Sequence, residues 1–178
     1  MPQANLLHDI ELGKDFPKIV NAIIEIPKGS KIKYEIDKKT GLVKLDRFLF
    51  SSMHYPGDYG FIPQTYWDDG DPLDIIIITG EPIYSGTLVS ARVIGVVHIN
   101  DNGESDDKII AVYEKDPRYK KINSITDLQE HFLDEIKHFF ETYKELEKKE
   151  VNVFDIKGKE DAYKTLKRGI ELYKKKFR

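Results

Sequence analysis

The order of apolar and polar positions divides the chain in two. Over the first two-thirds, short runs rich in β-branched and aromatic residues recur at close spacing: Val20 to Pro27, Lys31 to Ile36, Leu42 to Phe48, Leu73 to Thr79, Thr87 to Ile99 and Lys108 to Tyr113. Runs of that length and composition predict strands. Lys38-Lys39-Thr40-Gly41 predicts a hairpin turn between the second and third, and Gly95 a bend in the longest. Tyr55-Pro56-Gly57-Asp58-Tyr59-Gly60 reads as a tight turn that spaces two tyrosines. Strands this short, with turn residues between them, predict a closed or nearly closed β-barrel.

The period then changes. Leu128, Phe132, Ile136, Phe139, Phe140, Tyr143 and Leu146 fall on one helical face, and Thr126 with Gln129 fits a capping box at its start. Val151 to Ile156 predicts one more strand, broken at Gly158. From about Glu160 to Phe177 a second helix turns Ala162, Leu166, Ile170 and Tyr173 inward. The expected architecture is a single α+β domain over residues 1–178, mostly β: an OB-like closed β-barrel with two flanking helices.

Charge narrows the choice of ligand. The chain has 28 Lys and Arg against 31 Asp and Glu, a net charge of −3, so no global positive field draws nucleic acid or an anionic membrane. An anionic ligand must be held by local cations or by metal. Cys is absent, which excludes disulfides, thiolate metal sites and a Cys nucleophile. The first 25 residues are broken by charges and lack a signal-peptide core, and Ile75 to Ile78 is far too short to span a bilayer. A cytoplasmic protein is expected. Many Lys and Glu, no Cys and two Met resemble a heat-adapted proteome.

The densest chemistry lies in Asp69-Gly70-Asp71-Pro72-Leu73-Asp74, flanked by Asp68. Carboxylates this close repel unless cations occupy the cluster. Gly70 permits a positive φ and Pro72 stiffens the turn, so together they fix where the side chains point. Oxygen ligands without His or Cys suit Mg²⁺, Mn²⁺ or Ca²⁺ rather than Zn²⁺. A solvated acidic turn is the plainer alternative, but a turn does not need three carboxylates. Asp101 to Lys108 is a second acidic segment, which matters only if the fold sets it beside the first. On the strands, Lys33 and Glu35 share one face and Tyr34 takes the other. Cations and phenols beside carboxylates are what a metal-complexed polyphosphate requires.

These residues resemble the soluble family I inorganic pyrophosphatases, and a prokaryotic member, archaeal or thermophilic in type. Asp69-Gly70-Asp71-Pro72-Leu73-Asp74-Ile75 matches the family's signature loop. Ile24-Glu25-Ile26-Pro27, Ile32-Lys33-Tyr34-Glu35-Ile36-Asp37, Asp46-Arg47-Phe48, Tyr55-Pro56 with Tyr59-Gly60-Phe61, and His138-Phe139-Phe140-Glu141 through Tyr143-Lys144 match in the same order. The likeness runs from Ile24 to Lys144, loosens between Asp101 and Lys108, and is absent after about Val151.

The resemblance implies Mg²⁺-dependent hydrolysis of pyrophosphate to two phosphates, with several Mg²⁺ ions per site, some arriving with substrate. Asp69, Asp74 and Asp106 are then ligands of the tighter ion, with Asp74 shared. Asp101 and Asp106 would hold a further ion, and Glu25 and Glu35 would line the mouth through waters. Lys33, Arg47, Tyr59, Lys108, Tyr143 and Lys144 would contact the phosphoryl groups, with Tyr55 in support. Mg²⁺ lowers the pKa of a bound water, and Asp71, aimed by Pro72, can accept its proton. A homohexamer is implied by resemblance, with exposed aromatics expected around the first helix. The chief rival is an OB-fold oligonucleotide-binding protein, which aromatic and basic side chains would suit and three carboxylates in one loop would not. A Ca²⁺-binding structural domain would leave Lys33, Arg47 and Lys144 idle.

Overall fold

The computed structural model describes residues 5–178. In chain order it comprises β1 (Ile19–Ile26), β2 (Ile32–Ile36), β3 (Val43–Phe48), β4 (Asp58–Phe61), β5 (Asp74–Ile78), β6 (Leu88–Asp101), β7 (Glu104–Ser105), β8 (Lys108–Tyr113), α1 (Glu130–Thr142), β9 (Val151–Gly158) and α2 (Lys159–Phe177). Pairing β1–β4–β5–β8–β6 returns to β1, so five strands close the barrel that the spacing predicts. Closure removes the open edges that would otherwise invite association. All these pairs are antiparallel except β5–β8. The long β6 serves four neighbours, β1, β8, β9 and the short β7, and its register against β8 shifts between Val93 and Gly95, where the bend is expected. β2 and β3 form a separate hairpin.

The run Ile75 to Ile78 is continuous because both faces of β5 are covered. Ile75 and Ile77 join a core with Ala162 and Leu166 of α2, while Ile76 and Ile78 join one with Ile136, Phe139 and Phe140 of α1. A strand buried on both sides has no reason to alternate. Among the described residues, no helix is long and apolar enough to cross a membrane.

Three local expectations are corrected. The segment expected as a tight turn around Tyr59 contains β4, all four of whose residues are buried. Gly60 is what allows it: a Cβ there would lie 1.9 Å from the carbonyl oxygen of Ile23 on β1. The capping box belongs to Ser124 and Asp127, on a 3-10 turn at Ile125–Asp127, and α1 starts later, at Glu130, with no side-chain bond from Gln129. Aspartate has the shorter reach that closes such a box on a tight turn. Leu146 leaves the apolar stripe because α1 ends at Thr142, and it lies exposed on the following 3-10 turn. Tyr143, the C-cap residue, remains buried.

Candidate active site

The expected site residues are carried by separate elements that meet at one cavity of about 790 Å³. Glu25 comes from β1, Lys33 and Glu35 from β2, and Tyr59 from β4. Asp69 and Asp71 lie on the β4–β5 loop, Asp74 opens β5, Asp101 closes β6, and Asp106 directly follows β7, two residues before Lys108 opens β8. Tyr143 and Lys144 follow α1, and Tyr55 precedes β4. The second acidic segment therefore does stand beside the first: Asp69, Asp101 and Asp106 share a smaller adjoining recess with Asn102 and Glu104.

Parallel pairing of β5 with β8 sets Asp74 opposite Lys108. The Lys108 ammonium, almost wholly buried, lies 2.8 Å from Asp74 Oδ2 and 2.7 Å from Asp106 Oδ1. Burial alone would lower its pKa, but the two carboxylates outweigh burial and raise it well above the ordinary lysine value. Lys144 bonds Asp101 in the same way, and Tyr59 donates to Asp74 Oδ2. Burial, Asp74 and Asp106 raise Asp69 to about 7. Glu25 is raised to about 8, chiefly by burial and in spite of a 2.8 Å bond from the Ile36 backbone N–H. Both shifts come chiefly from burial, with neighbouring carboxylates adding to them.

The loop geometry separates Asp71 from its neighbours. Gly70 has φ +89°, and the Asp71 N–H donates to Asp69 Oδ1 at 3.0 Å. That bond turns the Asp69 carboxylate inward along its own loop. Asp71 instead reaches outward, exposed, to the Lys38 ammonium at the tip of the β2–β3 hairpin.

Arg47 alone of the expected residues stands outside the cavity lining. It faces Lys33 across the β2–β3 hairpin. Glu147, its side chain almost wholly covered, holds its Nε at 3.0 Å, and Asp46 holds Nη1 at 2.8 Å. Nη2 is buried with no partner, and so is Asp101 Oδ1. Glu147 is a functional candidate that sequence reasoning missed. It lies a hundred residues from Arg47 in a run of charges of both signs, and no local signal marks it.

As the side chains stand, among the described residues no three carboxylate or imidazole groups are drawn together closely enough to hold a metal ion. Lys108 and Lys144 stand between the carboxylates instead. The donor set still fits Mg²⁺: hard oxygens in a cluster of neighbouring carboxylates, one of them buried and unpartnered on Asp101.

The family profile described as "Inorganic pyrophosphatase" matches residues 22–174, so the likeness extends well past Val151, where the motifs fade. The chain is 49% identical over 166 residues to soluble inorganic pyrophosphatase 1 of Arabidopsis thaliana, covering 93% of this chain and 78% of that one. Soluble inorganic pyrophosphatase 2 of Chlamydomonas reinhardtii is 48% identical over 170 residues, covering 96% and 88%. Among solved structures, the inorganic pyrophosphatase of Thermus thermophilus superposes with a TM-score of 0.92 at 41% identity, over 96% of this chain and 99% of that one. With a profile that spans most of the chain and relatives at nearly half identity, this chain belongs to the inorganic pyrophosphatase family.

Proposed function

We infer that this site hydrolyses inorganic pyrophosphate to two phosphates in the presence of Mg²⁺. The observation that carries the reading is the interleaving of four carboxylates (Asp69, Asp74, Asp101 and Asp106) with the ammonium groups of Lys108 and Lys144 in one cavity. Fixed anions and fixed cations together suit an anionic substrate that brings divalent metal with it. An oligonucleotide groove would need no such carboxylates.

Asp69, Asp74, Asp101 and Asp106 would hold Mg²⁺, with Glu25 and Glu35 at the margin, and more than one ion is needed to use that many oxygens. Bound there, Mg²⁺ supplies charge neutralisation and activates water. With Mg²⁺ held by those carboxylates, the ammonium groups of Lys108 and Lys144 would be free to pair with phosphoryl oxygens. Lys33 supplies further positive charge from within the cavity and Arg47 from just outside its lining, and the Tyr59 and Tyr143 hydroxyls supply neutral donors. Tyr55, packed 5.5 Å from the Tyr59 ring and 4.8 Å from Phe139, holds Tyr59 in place. Asp71, the exposed carboxylate of the loop, accepts the proton from the attacking water.

Several finer readings go with this one. Near-complete mutual coverage with the Thermus thermophilus protein supports the prokaryotic type, and the Lys- and Glu-rich, Cys-free composition supports heat adaptation. A cytoplasmic setting also fits the lack of Cys. Assembly into a homohexamer is supported by exposed Leu42, Val43, Leu45, Phe48 and Phe50 on and beside the β2–β3 hairpin. Of the α1 phenylalanines, Phe139 and Phe140 are buried and cannot serve that purpose, whereas Phe132 is half-buried. Sedimentation at micromolar concentration tests it, and a stable monomer would refute it.

The reaction is tested by phosphate release from pyrophosphate with Mg²⁺, with EDTA, and from a phosphate monoester. Release from pyrophosphate alone, abolished by EDTA, is expected. Equal release from the monoester would identify a general phosphatase instead.

A further inference from the structure

The C-terminal helix has no part in the chemistry above, yet it grips the root of the catalytic loop. Arg168 of α2 places Nη2 2.7 Å and 2.9 Å from the two carboxylate oxygens of Asp68, and its guanidinium carbon sits 4.4 Å above the Trp67 ring. Trp67 and Asp68 directly precede Asp69. The backbone of the loop is tied to the same point: the Trp67 N–H donates to the Asp71 carbonyl at 2.8 Å, and the Gly70 N–H to the Trp67 carbonyl at 3.1 Å. One residue earlier, the Tyr66 N–H donates to the Gly169 carbonyl of α2 at 3.0 Å. Trp67 also reaches the other acidic segment, its Nε1 donating to Ser105 Oγ at 3.3 Å, beside Asp106. The indole is thus a buried strut between the two loops that carry the carboxylates, and Arg168 covers it.

We propose that Arg168 is a positioning residue for the metal-binding carboxylates: by stacking on Trp67 and pairing with Asp68 it holds Asp69 and Asp106 at the spacing that Mg²⁺ requires. This rests on the metal-binding role assigned to the acidic loops. α2 is a suitable anchor, because Ala162, Leu166 and Tyr173 bury it against the barrel on either side of Arg168. A planar guanidinium can stack and pair at once, whereas an ammonium cannot. Arg168 touches neither substrate nor metal, so its loss affects the geometry of the ligands rather than their number.

The test uses the full chain and two direct readouts of Mg²⁺ binding. Trp67 is the only tryptophan, so intrinsic fluorescence reports on the strut itself. Mg²⁺ is titrated calorimetrically and by Trp67 emission in the native protein, Arg168→Ala and Arg168→Lys, well below the unfolding temperature of each. Arg168→Ala is expected to weaken Mg²⁺ binding by about 3- to 10-fold, the scale of one lost stack and one exposed pair. Its emission shifts to the red as the ring is uncovered, and kcat at saturating Mg²⁺ stays within about twofold, as expected when only ligand positioning is relaxed. Arg168→Lys, which retains the charge and most of the packing, keeps the fold if alanine does not, and falls between the two in Mg²⁺ affinity. A folded Arg168→Ala or Arg168→Lys with native Mg²⁺ affinity and a lower melting temperature would overturn the proposal, leaving Arg168 a merely stabilising residue. Failure of the native protein to bind Mg²⁺ would instead overturn the metal reading on which it rests.

Discussion

Asp74 and Lys108 face each other across the one parallel strand pair of the barrel, their charged atoms 2.8 Å apart. An ammonium so deeply buried is tolerable only because Asp106 satisfies it from the other side, at 2.7 Å. The same arrangement occupies, with a protein cation, the ground on which Mg²⁺ would stand. Metal-free stability and metal binding are therefore in competition at this residue.

Lys108→Met should expose that competition. Without Mg²⁺ it leaves Asp74 and Asp106 facing each other uncompensated, and roughly 3–5 kcal/mol of stability should be lost. Mg²⁺ should return a larger share of stability to this variant than to the native protein, since it binds the folded state alone. Urea unfolding with and without Mg²⁺ measures both. A loss that Mg²⁺ leaves untouched would mean the ion does not bind between these carboxylates.

Within the acidic loop, Asp71 should separate from Asp69 and Asp74. Asp71→Asn is expected to lower kcat by roughly 10²–10⁴, as loss of a general base does, with Mg²⁺ affinity nearly unchanged. Asp69→Asn and Asp74→Asn should raise the Mg²⁺ requirement and be partly rescued by excess metal. Calorimetric Mg²⁺ titration beside kcat at saturating metal decides it. Rescue of Asp71→Asn by extra Mg²⁺ would make Asp71 a ligand and remove it as the base.

Glu147 should act through Arg47. Its carboxylate fixes the guanidinium so that Nη2 is left free, and Glu147→Gln replaces a charged bond by a neutral one. The KM for pyrophosphate should rise roughly 3- to 10-fold with kcat little altered, consistent with weakening one charge-assisted hydrogen bond. Steady-state kinetics at saturating Mg²⁺ provides the check, and an unchanged KM would show that Arg47 is placed without Glu147.

His98 on β6 bonds Asp107 at 2.8 Å, with Asp155 of β9 and Asp161 of α2 adding negative field. The Asp107 bond outweighs partial burial and raises the imidazole above its ordinary 6.5. A raised folded value means the charged pair contributes its full stability below pH 6.5, and that contribution is lost as pH rises through the folded value. NMR titration should find His98 above 6.5, falling towards it in Asp107→Asn. The fall in urea midpoint on raising the pH through that range should be smaller in the variant. A native His98 titrating at or below 6.5 would contradict this.

Periodicity and loop chemistry suffice, from the sequence alone, for much of this protein. Ile75 to Ile78 announces a strand covered on both faces, Phe132, Ile136, Phe139 and Phe140 announce a helix with one apolar stripe, and Asp69 to Asp74 announces a cluster that cations must occupy. Each is a local property, set by neighbours a few residues away. What tertiary structure decided are relations between distant residues. β4 is illegible because Gly60, which looks like turn chemistry, is there to let Ile23 of β1 approach. The second acidic segment becomes part of the site only when parallel pairing carries Lys108 to Asp74 and brings Asp106 with it. Glu147 finds Arg47, and Arg168 finds Trp67, across about a hundred residues of chain, with no pattern between them. Short-range sterics and burial shape the elements and are written in the order of residues. Electrostatic partnership depends on distance in space, which only closure of the barrel and the docking of its two helices determine.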